Sequence, residues 1–325
     1  MTDRRNFLIA AGAIWLMAPS PGTAQSPGRI YRLGVLRATA PAPEVSTALL
    51  DTLRERGYIE GRNLIIERRF ASGQLERLPG LARELVQLGV DAIVCVGPTT
   101  VRAGLEATST IPIIMFGNFD PVALGIVTNL ARPEANVTGI LISADGTLAG
   151  KRLELLRELA PRAARIGMLA PADPGFRLQL QETQKAAAAL KVELEVVEVP
   201  GGDYSGAFAT ISSRRPDALI VGGSTFFMRD RKTIIALAAK HRLPAVYEWP
   251  EQVRDGGLIA YGASLDGLYA RVGAYADQLF RGKKPADLPV EQPTKFELVI
   301  NLKTAKALAI KIPQALLVRA DRLIE

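Results

Sequence analysis

Asp91-Ala92-Ile93-Val94-Cys95-Val96-Gly97-Pro98-Thr99-Thr100 is a short apolar run that breaks at Gly-Pro and passes into two threonines. The run predicts a strand over 91–96, and the threonines predict a helix start near Thr99. The same alternation extends in both directions. Before it, strands are expected over 31–36 and 64–70, with helices over 45–56 and 78–88. The first of these helices carries Val45, Leu49, Leu50 and Leu53 on one face and ends at Gly57. After it come strands over 111–116 and 137–142, with a helix from about Pro121 between them. The pattern then restarts, with helices over 148–159, 176–190, 205–213 and 229–241 and strands over 165–170, 192–199, 217–221 and 244–248. A strand over 258–261, a helix over 265–280, a strand over 296–301, a helix over 302–308 and a short tail complete the chain. Short strands alternating with helices imply parallel sheets. Two successive units of about 115 residues each predict an α/β fold of two doubly wound parallel-sheet lobes.

The amino terminus is written differently. Arg4-Arg5 precede an apolar run from Phe7 to Ala18; Pro19-Ser20-Pro21-Gly22 break it, and Gly22-Thr23-Ala24 offers a small-residue cleavage site. That order of charged, apolar and small-residue regions marks 1–24 as an export signal peptide, and the paired arginines resemble a twin-arginine signal. The apolar run gives about 18 Å of helix, short of the roughly 30 Å hydrocarbon core, so it is no membrane anchor. The whole chain of 325 residues is 48% hydrophobic and 22% charged, a globular composition, and the part after the leader is long enough for two lobes. No later segment is long and apolar enough to span a bilayer.

One Cys and one His restrict the chemistry. Cys95 sits inside an apolar run and reads as core, while His241 lies at an expected helix end in Ala239-Lys240-His241-Arg242. Clusters of soft metal ligands are therefore not available, and no motif builds a catalytic triad around His241. No catalytic residue, metal or cofactor is expected. The first strand is followed by Leu36-Arg37-Ala38-Thr39 and not by a Gly-rich phosphate loop, and there is no Gly-Lys-Ser/Thr. The formal charge of +7 is spread among acidic residues without clustered Lys/Arg and aromatics, so nucleic acid is not an expected partner.

In doubly wound sheets ligands bind beyond the carboxyl ends of the strands. That rule selects loops 37–39, 97–100 and 117–121 in the first unit, and 170–174, 222–227 and 247–249 in the second. Thr99 and Thr100 suit either a helix cap or a bound carboxylate. Asp120-Pro121 and Asp173-Pro174 pair a capping carboxylate with Pro at the first helical position, and either aspartate is also placed to hold an ammonium group. Asn118, Ser224 and Thr225 occupy the same loops. Phe226 is a core residue or a ligand wall, and Tyr247 and Tyr261 each end a strand with an amphipathic ring.

Gly117-Asn118-Phe119-Asp120-Pro121-Val122-Ala123-Leu124-Gly125, followed by Leu130-Ala131-Arg132-Pro133 and Asn136-Val137-Thr138-Gly139, resembles the ABC-transporter substrate-binding family related to tryptophan-binding TrpX proteins. So does the long stretch from Pro285 through Gln292-Pro293-Thr294-Lys295-Phe296-Glu297-Leu298 to Ala305. Glu134-Ala135 departs from the usual Gly-Gly, and Ala309 stands where Gly usually closes a helix. Gly222-Gly223-Ser224-Thr225 differs from the acidic loop associated with the family. The resemblance implies a periplasmic-binding-protein-like fold of type I, its lobes joined by a three-crossover hinge near Ser143, Ala263 and Leu288. Lobe 1 then comprises 25–142 and 264–287, and lobe 2 comprises 143–263 and 288–325.

The function implied is a periplasmic, monomeric solute-binding component of an ABC importer that closes on an amino acid or aromatic compound. Its partners are that small molecule and an ABC permease in the cytoplasmic membrane. A ligand-sensing module feeding a receptor and an exported α/β enzyme are the alternatives.

Overall fold

A computed structural model describes residues 29–39, 47–133, 135–143, 147–172 and 176–325. The expected export segment 1–24, Glu134 and Asp173 lie outside the described residues. The first sheet contains β1 (Tyr31–Arg37), β2 (Leu64–Phe70), β3 (Ala92–Val96), β4 (Ile113–Gly117) and β5 (Val137–Leu141). Its order is β2-β1-β3-β4-β5 and every pairing is parallel. Every residue of β3, β4 and β5 is buried, as expected of parallel strands covered on both faces. Helices α1 (Thr47–Glu55), α2 (Leu78–Gln87) and α3 (Pro98–Ala107) connect its strands.

The second lobe begins with α4 (Thr147–Leu159), β6 (Arg165–Pro171), α5 (Arg177–Leu190), β7 (Glu193–Val199) and α6 (Tyr204–Ser213). It continues through β8 (Ala218–Val221), α7 (Thr225–Arg229), α8 (Arg231–Lys240), β9 (Ala245–Tyr247), α9 (Pro250–Arg254) and β10 (Ile259–Gly262). After α10 (Leu265–Phe280) the chain ends with β11 (Glu297–Asn301), α11 (Leu302–Ala307), α12 (Gln314–Arg319) and β12 (Arg322–Ile324). The second sheet runs β12-β11-β10-β9-β8-β6-β7, parallel except for the β10–β11 pair. The tail expected after 308 thus supplies a helix and the edge strand.

Each sheet is covered on both faces. Leu33, Val94 and Ile114 meet Leu53 of α1 and Val272 of α10, whereas Leu36 and Ile93 meet Leu85 of α2 and Val101 of α3. In the second lobe Met168 and Ile220 face Leu153 of α4, and Leu169 and Leu219 face Phe208 and Ile234. Although α10 follows the second-lobe strand β10, it belongs to the first core. Tyr58, beyond α1, donates to its Asp277 at 3.0 Å, and Tyr31, Tyr58 and Phe280 pack with centroids 4.9–5.2 Å apart.

The chain therefore passes between the sheets three times: between β5 and α4, between β10 and α10, and between Glu291 and β11. Leu288, where the third passage was expected, is still held to the first lobe. It lies in that core and accepts from Thr138 Oγ1 at 2.7 Å, and Glu291 exchanges backbone hydrogen bonds with Gly139 and Leu141. The helix expected from Pro121 is a single turn. Asp120 accepts from the Val122 and Ala123 amides, and Gly125 at φ +66° turns the chain away after one winding.

At the end of α11 the Ile310 amide donates to Ala305 O and the Ala309 amide to Lys306 O, which completes a Schellman motif. Its left-handed position, φ +58°, is held by Ala309. A Cβ there costs about 1–2 kcal/mol, partly offset in a glycine variant by a freer unfolded chain. Ala309→Gly is expected to stabilise the protein by about 0.5–1 kcal/mol in urea unfolding; an unchanged or lower midpoint would show that the strain is relieved elsewhere.

Candidate functional site

Both sheets reverse strand order next to their first strand, between β1 and β3 in one lobe and between β6 and β8 in the other. Such reversals open a crevice at the carboxyl ends of the strands. Here the two crevices face each other, and a cavity between the lobes joins them. Arg37, the last residue of β1, lines it beside Gly97 and Pro98, which follow β3; Gly223, Ser224 and Thr225, which follow β8, line the opposite side.

The walls are aromatic and the polar groups few. Phe116 and Tyr269 pack with centroids 4.6 Å apart on the first-lobe side, and Phe176 and Trp249 close the other walls. Arg37 is 7% exposed, its Nε is buried without a hydrogen-bond partner, and no carboxylate pairs with it among the described residues. Gln179 of α5 exchanges two hydrogen bonds with the Gly223 backbone, each 3.1 Å, which fixes the loop after β8. Ser224 caps α7 by accepting from the Phe226 amide at 3.1 Å.

Behind Gly223 lies Glu248, with no exposed surface. Its Oε1 accepts from Arg152 of α4 and from Asn118 of the first lobe, both at 2.7 Å, while Arg152 Nε donates to Tyr261 O at 2.9 Å. Burial pushes the Glu248 carboxyl upward against the downward pull of Arg152 and Asn118. A Cβ on Gly223 would stand 1.7 Å from Glu248 Oε2, so only glycine leaves room for this carboxylate. Asn118 and Glu248 thereby join the two lobes directly.

Across Gly97, Pro98, Thr225 and Arg229, which line both, the cavity adjoins a second one bordered by Thr99, Tyr204 and Phe226. The Arg229 guanidinium lies 5.7 Å from the Phe226 ring centroid and pairs with Asp230, which also accepts from Tyr204 at 2.7 Å.

The residues singled out in the sequence divide accordingly. Asn118 and Ser224 line the first cavity, Thr99 and Phe226 line the adjoining one, and Thr225 lines both. Thr100 is fully buried with its hydroxyl committed to Gly97 O at 2.8 Å, and Asp120 is committed to its own turn. Tyr247 is buried in the second-lobe core, where burial pushes its phenol upward, and Tyr261 faces Phe296 and α4 outside the cleft. Sequence reasoning passed over Arg37, Gln179, Glu248 and Trp249 as site residues. The loop rule had already selected the positions of Arg37, Glu248 and Trp249.

Comparison with known proteins adds four likenesses. A family model described as ABC transporter substrate binding protein matches residues 42–324. A tyrosine-binding protein of Clostridioides difficile is 28% identical over 262 residues, covering 80% of this chain and 74% of its own length. A conserved domain protein from Vibrio cholerae superposes with a TM-score of 0.83 at 25% identity, covering 91% of this chain and 100% of the other. A Streptococcus pneumoniae ABC domain in complex with L-Trp gives 0.80 at 26% identity, covering 90% and 100%.

Replacing Arg152 by Met leaves the Glu248 carboxylate buried without its cation and is expected to destabilise the protein by about 3–5 kcal/mol. Adding Glu248→Met should recover most of that loss in denaturant unfolding. A double variant as unstable as Arg152→Met alone would show that packing, and not charge, decides this region.

Proposed function

The chain belongs to the ABC transporter substrate-binding family, and we propose that it captures an amino acid or aromatic compound in the cavity between its lobes and delivers it to a permease in the cytoplasmic membrane. As the substrate-binding component of a transporter it binds without catalysis. The observation that carries the ligand class is the pairing of aromatic walls with one unpaired, buried cation, Arg37. Phe116, Phe176, Trp249 and Tyr269 supply ring faces, and Arg37 supplies a fixed charge for an anionic group. The tyrosine-binding and L-Trp-bound relatives support the same class of solute.

Binding works by closure. The solute settles against one lobe, the other folds over it, and the closed shape is the one the permease accepts. Ile142 and Leu265, beside two of the passages between the sheets, line the cavity, so a rotation about those passages changes its width. Capture takes place outside the cytoplasmic membrane, after export directed by the Arg4-Arg5 leader through the twin-arginine route.

A thermal-shift screen of the exported protein against aromatic amino acids and aromatic acids tests this. A solute at 100 times its Kd is expected to stabilise the folded state by about 2.7 kcal/mol and to be recovered unchanged. Silence across both groups would remove the aromatic assignment, and a consumed hit would contradict the binding role.

A further inference from the structure

The cavity is electrically one-sided. Arg37 and Arg229 both line it, and among the described residues no Asp or Glu does. Arg229 is balanced by Asp230, whereas Arg37 has no counter-charge there. Glu248 also comes near, but it lies behind Gly223 with no exposed surface; its Oε1 is shared by Arg152 and Asn118, and its Oε2 is buried without a hydrogen-bond partner.

A second feature favours negative charge at the same end. Helix α3 begins at Pro98 beside Arg37, and its Gly97 cap provides no side chain to satisfy the first amides. Pro98 has no N–H, and the first amide bonded back into the helix is that of Val101, to Gly97 O at 3.2 Å. The amides of Thr99 and Thr100 are thus left at the positive end of a ten-residue helix, next to a buried guanidinium.

An aromatic α-amino acid would bring a carboxylate that suits this corner and an ammonium group that meets no carboxylate on the cavity wall among the described residues. Burying an unpaired ammonium is unfavourable by far more than the amine could recover from neutral acceptors. We propose that the cavity selects an aromatic monocarboxylate lacking the α-ammonium group, its carboxylate held between Arg37 and the start of α3 and its ring between the aromatic walls. This rests on the reading that the cavity between the lobes is the solute site. It sets this chain apart from relatives described by tyrosine or tryptophan, and it gives a physical meaning to the loop Gly222-Gly223-Ser224-Thr225, which carries no acid.

Isothermal titration calorimetry on the exported protein separates the possibilities with three matched ligands for each ring. These are 3-(indol-3-yl)propionate, L-tryptophan and tryptamine, and 3-(4-hydroxyphenyl)propionate, L-tyrosine and tyramine. One of the propionates is expected to bind at least about tenfold more tightly than its amino acid, with both amines silent. Arg37→Met should weaken the propionate by about a hundredfold or more, and Arg37→Lys, which keeps a charge at the site, should lose less. An amino acid that binds as tightly as its propionate, or a propionate insensitive to both Arg37 replacements, overturns the inference and leaves the cavity as the aromatic solute site. Absence of binding in all six titrations overturns that underlying reading as well.

Discussion

A carboxylate without solvent contact, Glu248, holds together the region where the lobes meet. A buried charge persists only when its partners replace the water it gave up. Arg152 supplies the counter-charge from α4 and Asn118 a hydrogen bond from the opposite lobe, both to Oε1, while Oε2 lies without a hydrogen-bond partner in the space that Gly223 leaves open. The arrangement explains why four residues distant in sequence share one small volume. It also divides the labour of charge: the acid is neutralised behind the cavity wall, and Arg37 remains the uncompensated charge in front of it.

The position of the cavity follows from strand polarity. Parallel sheets place all their carboxyl ends on one edge, and a reversal of strand order leaves a gap in the covering helices at that edge. In each lobe the gap falls next to the first strand, so Arg37 and Gly97 on one side oppose Gly223 and Ser224 on the other. The aromatic groups come from elsewhere: Phe116 is the penultimate residue of β4, Tyr269 comes from α10, Phe176 leads into α5 and Trp249 into α9. The first lobe's wall therefore depends on the segment that returns to it after β10.

Alternating apolar runs and helical faces were enough to read two α/β lobes, because burial on both faces of a parallel strand leaves an unbroken apolar run such as Ala92–Val96. Loop positions at strand ends were legible for the same reason. Side-chain destinations were not. Thr99 and Thr100 look alike in sequence, yet the rotation of about 100° between neighbours on a helix sends the second into the core with its hydroxyl on Gly97 O. Tyr247 and Glu248 are neighbours whose side chains part to opposite sides, the ring into the core and the carboxylate toward Arg152. Arg37 stood in Leu36-Arg37-Ala38-Thr39 as the place where a phosphate loop was missing. That it is buried and unpaired depends on α10 and on the facing lobe, which local pattern does not encode. The expected helix at Pro121 failed because a good start, Asp-Pro, was followed four residues later by a glycine that ends the winding.

The late arrival of α10 also shapes how the protein is made. All five strands of the first sheet have been synthesised by Leu141, but the second of the two helices that cover Leu33, Val94 and Ile114 begins only at Leu265. While the ribosome builds the intervening lobe, that face of a finished sheet has only α1 to cover it. That face is a target for misassembly until the chain returns to it. A chain of this topology gains from a chaperone or from a pause before maturation, and completion of its first half is timed by translation of its second.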